Sequence, residues 1–345
     1  MHNEKAAQSL DRLPGFGRLF EKREAVTTAV DLMPAAMQEI KSDSIWKGTG
    51  WVVEFRKPAR EKEGYMSEST KPELNGVTAT LLITHYIRAI ESQRPEALIK
   101  DERAEVLVRQ LDQETLSKTL ALTEDSTRAV MILKSRDFDR FAQDFLARHP
   151  DAVVVHIGCG LDTRFERVAE RDGQVEWYDL DLPDVIELRR KLVGGEGERH
   201  HFLGCSVLDN AWLELVSAHR LGNRPVGKRP FLFLAEGVFM YFTEAQVKSL
   251  VLRLKEHFPD AELVFDAYSP FLRWSHNIKV ARTRVGAPLH WALKHARDLE
   301  GWGDGIRLLD ERFPFQYPEP RLRRALKLRL VPFLATGIGV FHYQL

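Results

Sequence analysis

Cysteine is scarce in this chain, and neither sign of charge is in excess. Only Cys159 and Cys205 occur among 345 residues, which excludes a disulfide framework and fits a reducing compartment. The 50 basic residues equal the 50 acidic residues, so no field of one sign favours nucleic acid or an acidic membrane surface as a partner. We therefore expect neither partner.

Long apolar runs are also missing. None approaches the roughly 20 residues that a membrane-spanning helix needs, and the first residues lack the apolar core of a signal peptide. These two absences predict a cytoplasmic protein with no membrane partner.

Several motifs that carry a particular chemistry do not occur. The histidines show no H-E-x-x-H spacing and the cysteines no C-x-x-C pair, so we expect no metal site. A G-x-S-x-G elbow is absent too, which argues against an α/β-hydrolase.

Strands and helices alternate in the second half of the chain, after helices predicted from Val77, at Asp101–Leu111 and at about Ser126–His149. The predicted strands are Val153–Ile157, Val175–Asp179, Arg199–Cys205, Pro230–Ala235 and Glu262–Asp266. The predicted helices between them are Arg164–Arg171, Pro183–Val193, Asn210–Ala218 and Thr243–Phe258. This alternation is typical of an α/β protein whose parallel sheet is covered on both faces. A closing hairpin is predicted from Leu328–Phe333 and Gly339–Leu345.

The first predicted strand ends in a Gly-x-Gly turn, Gly158-Cys-Gly160, and the second ends in Asp179 and Asp181. Glycines let the backbone approach a nucleotide closely, and a carboxylate accepts hydrogen bonds from ribose hydroxyls. Thr163 stands where a dinucleotide fingerprint has its third glycine, which favours S-adenosylmethionine over NAD or FAD. The alternatives are a tight turn alone and, for at least one of the two aspartates, a surface or capping role. Cys159 in the turn is expected to be a small filler rather than a nucleophile.

Two later strand ends add candidates. Leu208 and the backbone around it are placed to flank an adenine ring, whereas Asp209 either joins them or caps the next helix. Glu236 is expected to face the ammonium group of the cofactor or the reacting centre, with a buried structural glutamate as the alternative. Ahead of the first strand, Lys134 and Arg136 offer a cation for the cofactor's carboxylate, unless they are solvated helix charges.

Three motifs in order resemble the leucine carboxyl methyltransferase family: Gly158-Cys-Gly-Leu-Asp-Thr-Arg164, Asp179-Leu-Asp-Leu-Pro183 and Ala235-Glu-Gly-Val-Phe-Met-Tyr241. Further segments resemble its tetracenomycin-type polyketide O-methyltransferase branch: Thr80-Leu-Leu-Ile83, Ile99-Lys-Asp101, Val185-Ile-Glu-Leu-Arg189 and Leu299-Glu-Gly-Trp-Gly303. The resemblance runs from about Glu73 to the C-terminus.

The resemblance implies a class I S-adenosylmethionine-dependent methyltransferase fold, a Rossmann-like sheet of seven strands with the last strand antiparallel. It also implies an N-terminal helical lid. The expected domains are an N-terminal extension at 1–72, a lid at 73–150 and a cofactor-binding domain at 151–345. A substrate-covering insertion is expected at about 269–320 within the last of these.

The strand-end positions and the resemblance together predict a set of cofactor-binding residues: Lys134, Arg136, Gly158, Gly160, Asp162, Arg164, Asp181, Leu208, Asp209 and Glu236. Asp181 is expected on the ribose and Glu236 by the methionine end, with Glu236 and Tyr241 near the reacting centre. Family members often bind the cofactor's carboxylate with an Arg of an Arg-Thr pair. Lys134 and Ser135 occupy that position here, so the choice between Lys134 and Arg136 stays open.

The expected reaction is methyl transfer from S-adenosylmethionine to an oxygen of a small aromatic or polyketide-like acceptor. A carboxylate is ionised at pH 7 and needs no base, whereas a hydroxyl needs one. Aromatic residues of the second half either suit a flat acceptor or pack the core: Tyr268, Phe271, Trp274, Trp291 and Trp302. The alternatives are a non-catalytic protein that binds the cofactor and a methyltransferase acting on a protein's C-terminal carboxylate. A nicotinamide oxidoreductase is disfavoured by Thr163.

Overall fold

A computed structural model describes residues 76–110, 125–169, 174–218, 220–221, 224–225, 229–283, 287–322 and 335–345. Within these ranges, no helix is long and apolar enough to cross a membrane. The N-terminal extension predicted at 1–72 lies outside them.

Seven strands of the described residues form the main sheet: β1 Val153–Ile157, β2 Glu176–Asp181, β3 His200–Gly204, β4 Phe231–Ala235, β5 Glu262–Tyr268, β6 Arg307–Arg312 and β7 Ile338–Gln344. Their order is β3-β2-β1-β4-β5-β7-β6. The first five are parallel, and β7 runs antiparallel to both β5 and β6. The predicted class I fold, with its last strand antiparallel, is confirmed.

Eight α-helices of the described residues accompany the sheet: α1 Gly76–Ser92, α2 Glu102–Gln110, α3 Asp125–Arg148, α4 Arg164–Val168, α5 Pro183–Leu192, α6 Ala211–Ala218, α7 Glu244–His257 and α8 Pro270–Thr283. Pro183 opens α5, where its missing N–H costs nothing. Thr243 caps α7 in a capping box with Gln246, as its position before the helix predicts. The helix predicted to reach Arg171 ends at Val168, and Arg171 itself lies outside the described residues.

The predicted closing hairpin is wrong. A strand has two hydrogen-bonding edges, and those of β7 are taken by β5 and by β6. Leu328–Phe333, the predicted partner, lies outside the described residues. The sequence does not predict β6, Arg307-Leu-Leu-Asp-Glu-Arg312, because it lacks an apolar run. It is an edge strand whose residues are mostly exposed.

The core has one layer on each face of the sheet. On one face, Val154 and Trp177 pack with the phenylalanines of α3, including Phe138 and Phe145. On the other, Val155 and Phe233 pack with the apolar sides of α6 and α7. Side chains alternate between the two faces along each buried strand, so the two apolar layers fix the register of the strands. The residues that follow the carboxyl ends of the parallel strands then lie together at one edge of the sheet.

Candidate active site

The turn after β1 depends on its glycines. Gly158 has φ +64° and Gly160 has φ +53°, in the left-handed region that glycine enters without strain. A Cβ built on Gly158 would also lie 2.4 Å from Cγ2 of Val238, in the turn after β4. The absence of a side chain at Gly158 therefore lets two neighbouring strand ends come together.

Asp181 ties the end of β2 to this turn. Its Oδ2 accepts from the Gly160 N–H at 2.8 Å, and its Oδ1 accepts from the Leu182 N–H at 2.7 Å. Burial raises the pKa of Asp181 despite these two bonds. Each carboxylate oxygen has a second lone-pair direction, so the group can still accept from hydroxyls of a bound ligand.

Asp179 has a different environment, in the core. It is buried and accepts from Trp177 Nε1 at 2.9 Å, with His200 Nε2 at 2.7 Å and Arg189 Nη2 at 2.5 Å. Burial raises the pKa of Asp179, but the charge of Arg189 and the histidine hydrogen bonds outweigh burial and hold it well below its usual range. Of the two aspartates on β2, Asp179 is the structural one.

Arg164 lies buried behind the turn and connects its charged groups. Its guanidinium donates to Glu236 Oε2 at 2.6 Å and to Asp139 Oδ1 at 2.7 Å, and lies 3.1 Å from His156 Nε2. Asp162 lies 3.2 Å from the same guanidinium and 2.8 Å from that of Arg167. Since the Arg164 side chain is fully buried, its direct effect is to hold Glu236 in place.

Lys134 and Arg136 are two residues apart on α3, which places them about 200° apart around the helix axis. The Lys134 ammonium lies 2.6 Å from Asp266 Oδ2 and 4.0 Å from Glu236 Oε1. The Arg136 guanidinium instead lies over the Tyr317 ring, 4.5 Å from its centroid. The structure thus brings Lys134, and not Arg136, to Glu236.

Burial opposes the charge of Lys134, but the carboxylates of Asp266 and Glu236 outweigh that effect and raise its pKa. Tyr241 lies in a short 3-10 helix after β4 and is 38% exposed as a residue, but desolvation of its hydroxyl raises its pKa. At neutral pH the lysine is therefore a cation and the tyrosine a protonated phenol.

Leu208 and Asp209 follow β3 at the same edge of the sheet. Leu208 is half-buried and packs against the core, and its carbonyl accepts from Arg253 Nη1 at 3.0 Å. Asp209 is exposed, and Asn210 rather than Asp209 directly precedes α6. Leu208 is thus the better held of the two.

Comparison with known proteins decides the family. A model described as leucine carboxyl methyltransferase matches residues 81–255, about half of the chain. Tetracenomycin polyketide synthesis O-methyltransferase TcmP of Streptomyces glaucescens is 36% identical over 239 residues, which cover 69% of this chain and 83% of that protein. The chain belongs to the leucine carboxyl methyltransferase family.

A second relative of this chain is the S-adenosyl-L-methionine-dependent methyltransferase dpfgK of Gibberella zeae. It is 32% identical over 267 residues, covering 72% of this chain and 87% of its own length. Among solved structures, a DUF574 family protein of Streptomyces avermitilis covers 77% of this chain and 96% of its own, with 16% identity and a TM-score of 0.48. Family membership makes the chain an S-adenosylmethionine-dependent methyltransferase, and the predicted family and cofactor are confirmed.

Four residues of the candidate site have no role that the sequence predicts. Asp266 ends a predicted strand, a position that could have marked it, and Asp101 belongs to one of the branch segments. His85 and Asp139 lie on helices, where nothing in the sequence distinguishes them from other polar residues. All four make buried or partly buried hydrogen bonds around the glycine turn or Glu236.

The aromatic residues divide between the two expected roles. Trp291 is buried and packs with Phe239 and Phe265, which makes it core. Trp302 packs beside it. Trp274 is 53% exposed on α8, with Phe271 beside it. Phe271 and Tyr268 are half-buried and pack against a smaller apolar cluster that includes Leu133 and Phe315, so Trp274 is the most exposed of the five aromatic residues named from the sequence.

Proposed function

We propose that the protein transfers the methyl group of S-adenosylmethionine to an oxygen, and that this oxygen belongs to a carboxylate of a small aromatic or polyketide-like acceptor. The name of the Streptomyces glaucescens relative, a polyketide synthesis O-methyltransferase, supports oxygen as the acceptor atom. The observation that carries the choice of a carboxylate is the state of the groups around Glu236.

Each of those groups is already engaged with a partner or carries its proton. Glu236 is ion-paired with Arg164 at 2.6 Å, and Asp266 with Lys134 at 2.6 Å. Tyr241 has a raised pKa and is itself protonated. A hydroxyl acceptor needs a base to take its proton, whereas a carboxylate arrives already ionised. An acceptor carboxylate therefore fits these groups better than a phenol does.

The residues present fit the cofactor. The glycine turn at Gly158 and Gly160 would present its backbone to the ligand, and Asp181 keeps acceptor capacity for ribose hydroxyls. Leu208 offers an apolar contact for the adenine. Lys134 is a cation for the carboxylate of the amino-acid part, and Glu236 is an anion for its ammonium. Asp162 and Arg164 act behind them by holding the turn and Glu236 in position.

The bound cofactor supplies an electrophilic methyl group on a sulfonium. The protein's residues then work by alignment, since an ionised nucleophile needs only to be held in line with the methyl–sulfur bond. Lys134 and Glu236 fix the amino-acid end of the donor, and Asp181 fixes the ribose. Trp274, exposed on α8, would offer a flat apolar surface for the acceptor's ring.

The test is transfer of a radiolabelled methyl group from S-adenosylmethionine to a panel of aromatic and polyketide acids. The control is Gly158→Arg, whose side chain would fill the turn and collide with Val238. We expect label in at least one acid with the wild-type protein and none with the variant. Tight binding of S-adenosylhomocysteine with no transfer to any acid would contradict the proposal and favour a non-catalytic protein. Transfer only to a peptide's C-terminal carboxylate would also contradict the proposed acceptor.

A further inference from the structure

The glycine turn continues through Thr163 to the start of α4. Its last three residues, 161–163, are each held by a side chain from the N-terminal helix pair, which we define as α1, α2 and the segment that joins them. The contacts are His85 Nδ1 to the Leu161 carbonyl at 3.0 Å, Arg88 Nη2 to Asp162 Oδ1 at 3.4 Å, and the Thr163 hydroxyl to Asp101 at 2.7 Å. The helix pair therefore forms the back of the turn that the cofactor is expected to occupy.

Asp101 is the centre of these contacts. It is 1% exposed and lies between the two helices, at the end of the branch segment that begins at Ile99. Besides the Thr163 hydroxyl, it accepts from Arg88 Nε at 2.9 Å and from Arg167 Nη1 at 3.0 Å. One buried carboxylate thus joins the helix pair, the turn and the helix that follows the turn.

Arg167 extends the connection to the ligand side of the turn. Its guanidinium also donates to Asp162 at 2.8 Å and to Asp139 at 2.8 Å. Asp139 in turn accepts from Arg164, which holds Glu236. Because these charged groups are buried and hydrogen-bonded to one another, we expect a change at Asp101 to affect both the turn and Glu236.

We propose that Asp101 is a positioning residue for the cofactor: it couples docking of the helix pair to the shape of the glycine turn, so that cofactor affinity depends on helices that lie before the cofactor-binding domain. The proposal rests on the proposed function, which places the cofactor at that turn. Coupling between two equilibria is reciprocal, so bound cofactor also stabilises the docked helix pair.

The chain offers a matched control in Glu91. It is a buried carboxylate of the same helix pair, 3% exposed, and it accepts from Arg321 Nη1 at 2.6 Å and from the Leu98 N–H at 2.9 Å. Both variants, Asp101→Asn and Glu91→Gln, keep side-chain size and remove one buried charge that is paired with arginine. Only the first changes a group bonded to the turn.

The experiment measures S-adenosylhomocysteine binding by calorimetry and, in parallel, hydrogen exchange of 84–92 with and without that ligand. We expect Asp101→Asn to raise the Kd about tenfold, within the usual range of coupling between sites, and Glu91→Gln to leave it near the wild-type value. The ligand should slow exchange of 84–92 in the wild-type protein and in Glu91→Gln, and have little effect in Asp101→Asn.

A third variant, Thr163→Val, keeps side-chain shape and removes only the hydroxyl bonded to Asp101. Its effect on the Kd should be smaller when it is combined with Asp101→Asn, because a neutral amide oxygen accepts from the Thr163 hydroxyl more weakly than the carboxylate does. Equal Kd values for Asp101→Asn and the wild type, or equal losses in Asp101→Asn and Glu91→Gln, would overturn the coupling while leaving the proposed function standing. Failure of the wild-type protein to bind the ligand would overturn both.

Discussion

The ammonium of Lys134 and the carboxylate of Asp266 lie 2.6 Å apart and join α3 to the carboxyl-terminal part of β5. The same carboxylate accepts from the Gly237 N–H at 2.6 Å, directly after Glu236. One buried aspartate therefore positions both the cation and the turn that carries the anion of the proposed amino-acid subsite.

Replacing Lys134 by Met should weaken binding of S-adenosylhomocysteine by about tenfold or more, since a charge-assisted hydrogen bond contributes about 1.5–3 kcal/mol. Arg136→Met is the control, because its guanidinium lies over Tyr317 and away from Glu236. Calorimetry with 5′-methylthioadenosine, which lacks the amino-acid carboxylate, separates the subsite from general damage: its affinity should be nearly the same in both variants. A larger loss for Arg136→Met would reverse the assignment.

Gly158→Ala should destabilise the protein by more than Gly237→Ala, because both positions have positive φ but only the first lacks room. A Cβ on Gly158 meets Val238 Cγ2 at 2.4 Å, whereas a Cβ on Gly237 has nothing within 4 Å. Urea denaturation should show a loss of about 1 kcal/mol for Gly237→Ala, from backbone strain alone, and about 2–4 kcal/mol for Gly158→Ala, where overpacking adds to it. Combining Gly158→Ala with Val238→Ala should recover part of the difference. Equal losses in the two single variants would show that the close approach to Val238 does not contribute to the free energy of unfolding.

Stability should fall in acid partly because of His85. Burial lowers the pKa of this histidine from 6.5 to about 4, so the folded protein keeps it neutral while the unfolded chain protonates it. The stability tied to this neutral form is fully present above pH 6.5 and is lost as the pH falls to about 4. A shift of that size corresponds to about 3 kcal/mol.

The free energy of unfolding of His85→Asn should accordingly decline less steeply than that of the wild type between pH 6.5 and 4. Asn keeps a donor for the Leu161 carbonyl but does not titrate. The difference between the two curves removes the contribution of the carboxylates. Parallel curves across this range would contradict a neutral buried His85.

The parts of the fold that the sequence predicted are those with a local signal. Strands such as β1 and β4 are apolar runs buried on both faces, and Pro183 and Thr243 mark helix starts that the structure bears out. The edge strand β6 has no such run. Its pairing with β7 depends on distant parts of the chain, so the hairpin prediction placed the partner wrongly.

The candidate site also has some residues that the sequence predicts and others that only the structure shows. Gly158, Asp181 and Glu236 could be named in advance because each follows a strand of a parallel sheet, and those ends share one edge. Asp266 and Asp101 act on Lys134 and Thr163, which are 132 and 62 residues away in the chain. Contacts of that separation leave no periodicity or spacing in a single sequence, so only the structure shows them.

The most direct test of the central claim is the alkali lability of the radiolabelled product, measured for a matched aromatic acid and phenol over a range of pH. A methyl ester releases its label as methanol in mild alkali, whereas an aryl methyl ether does not. We predict an alkali-labile product from the acid, at a rate nearly independent of pH from about 6 to 8, where a carboxylate is already ionised. An alkali-stable product from the phenol, formed at a rate that rises with pH, would contradict carboxylate methylation.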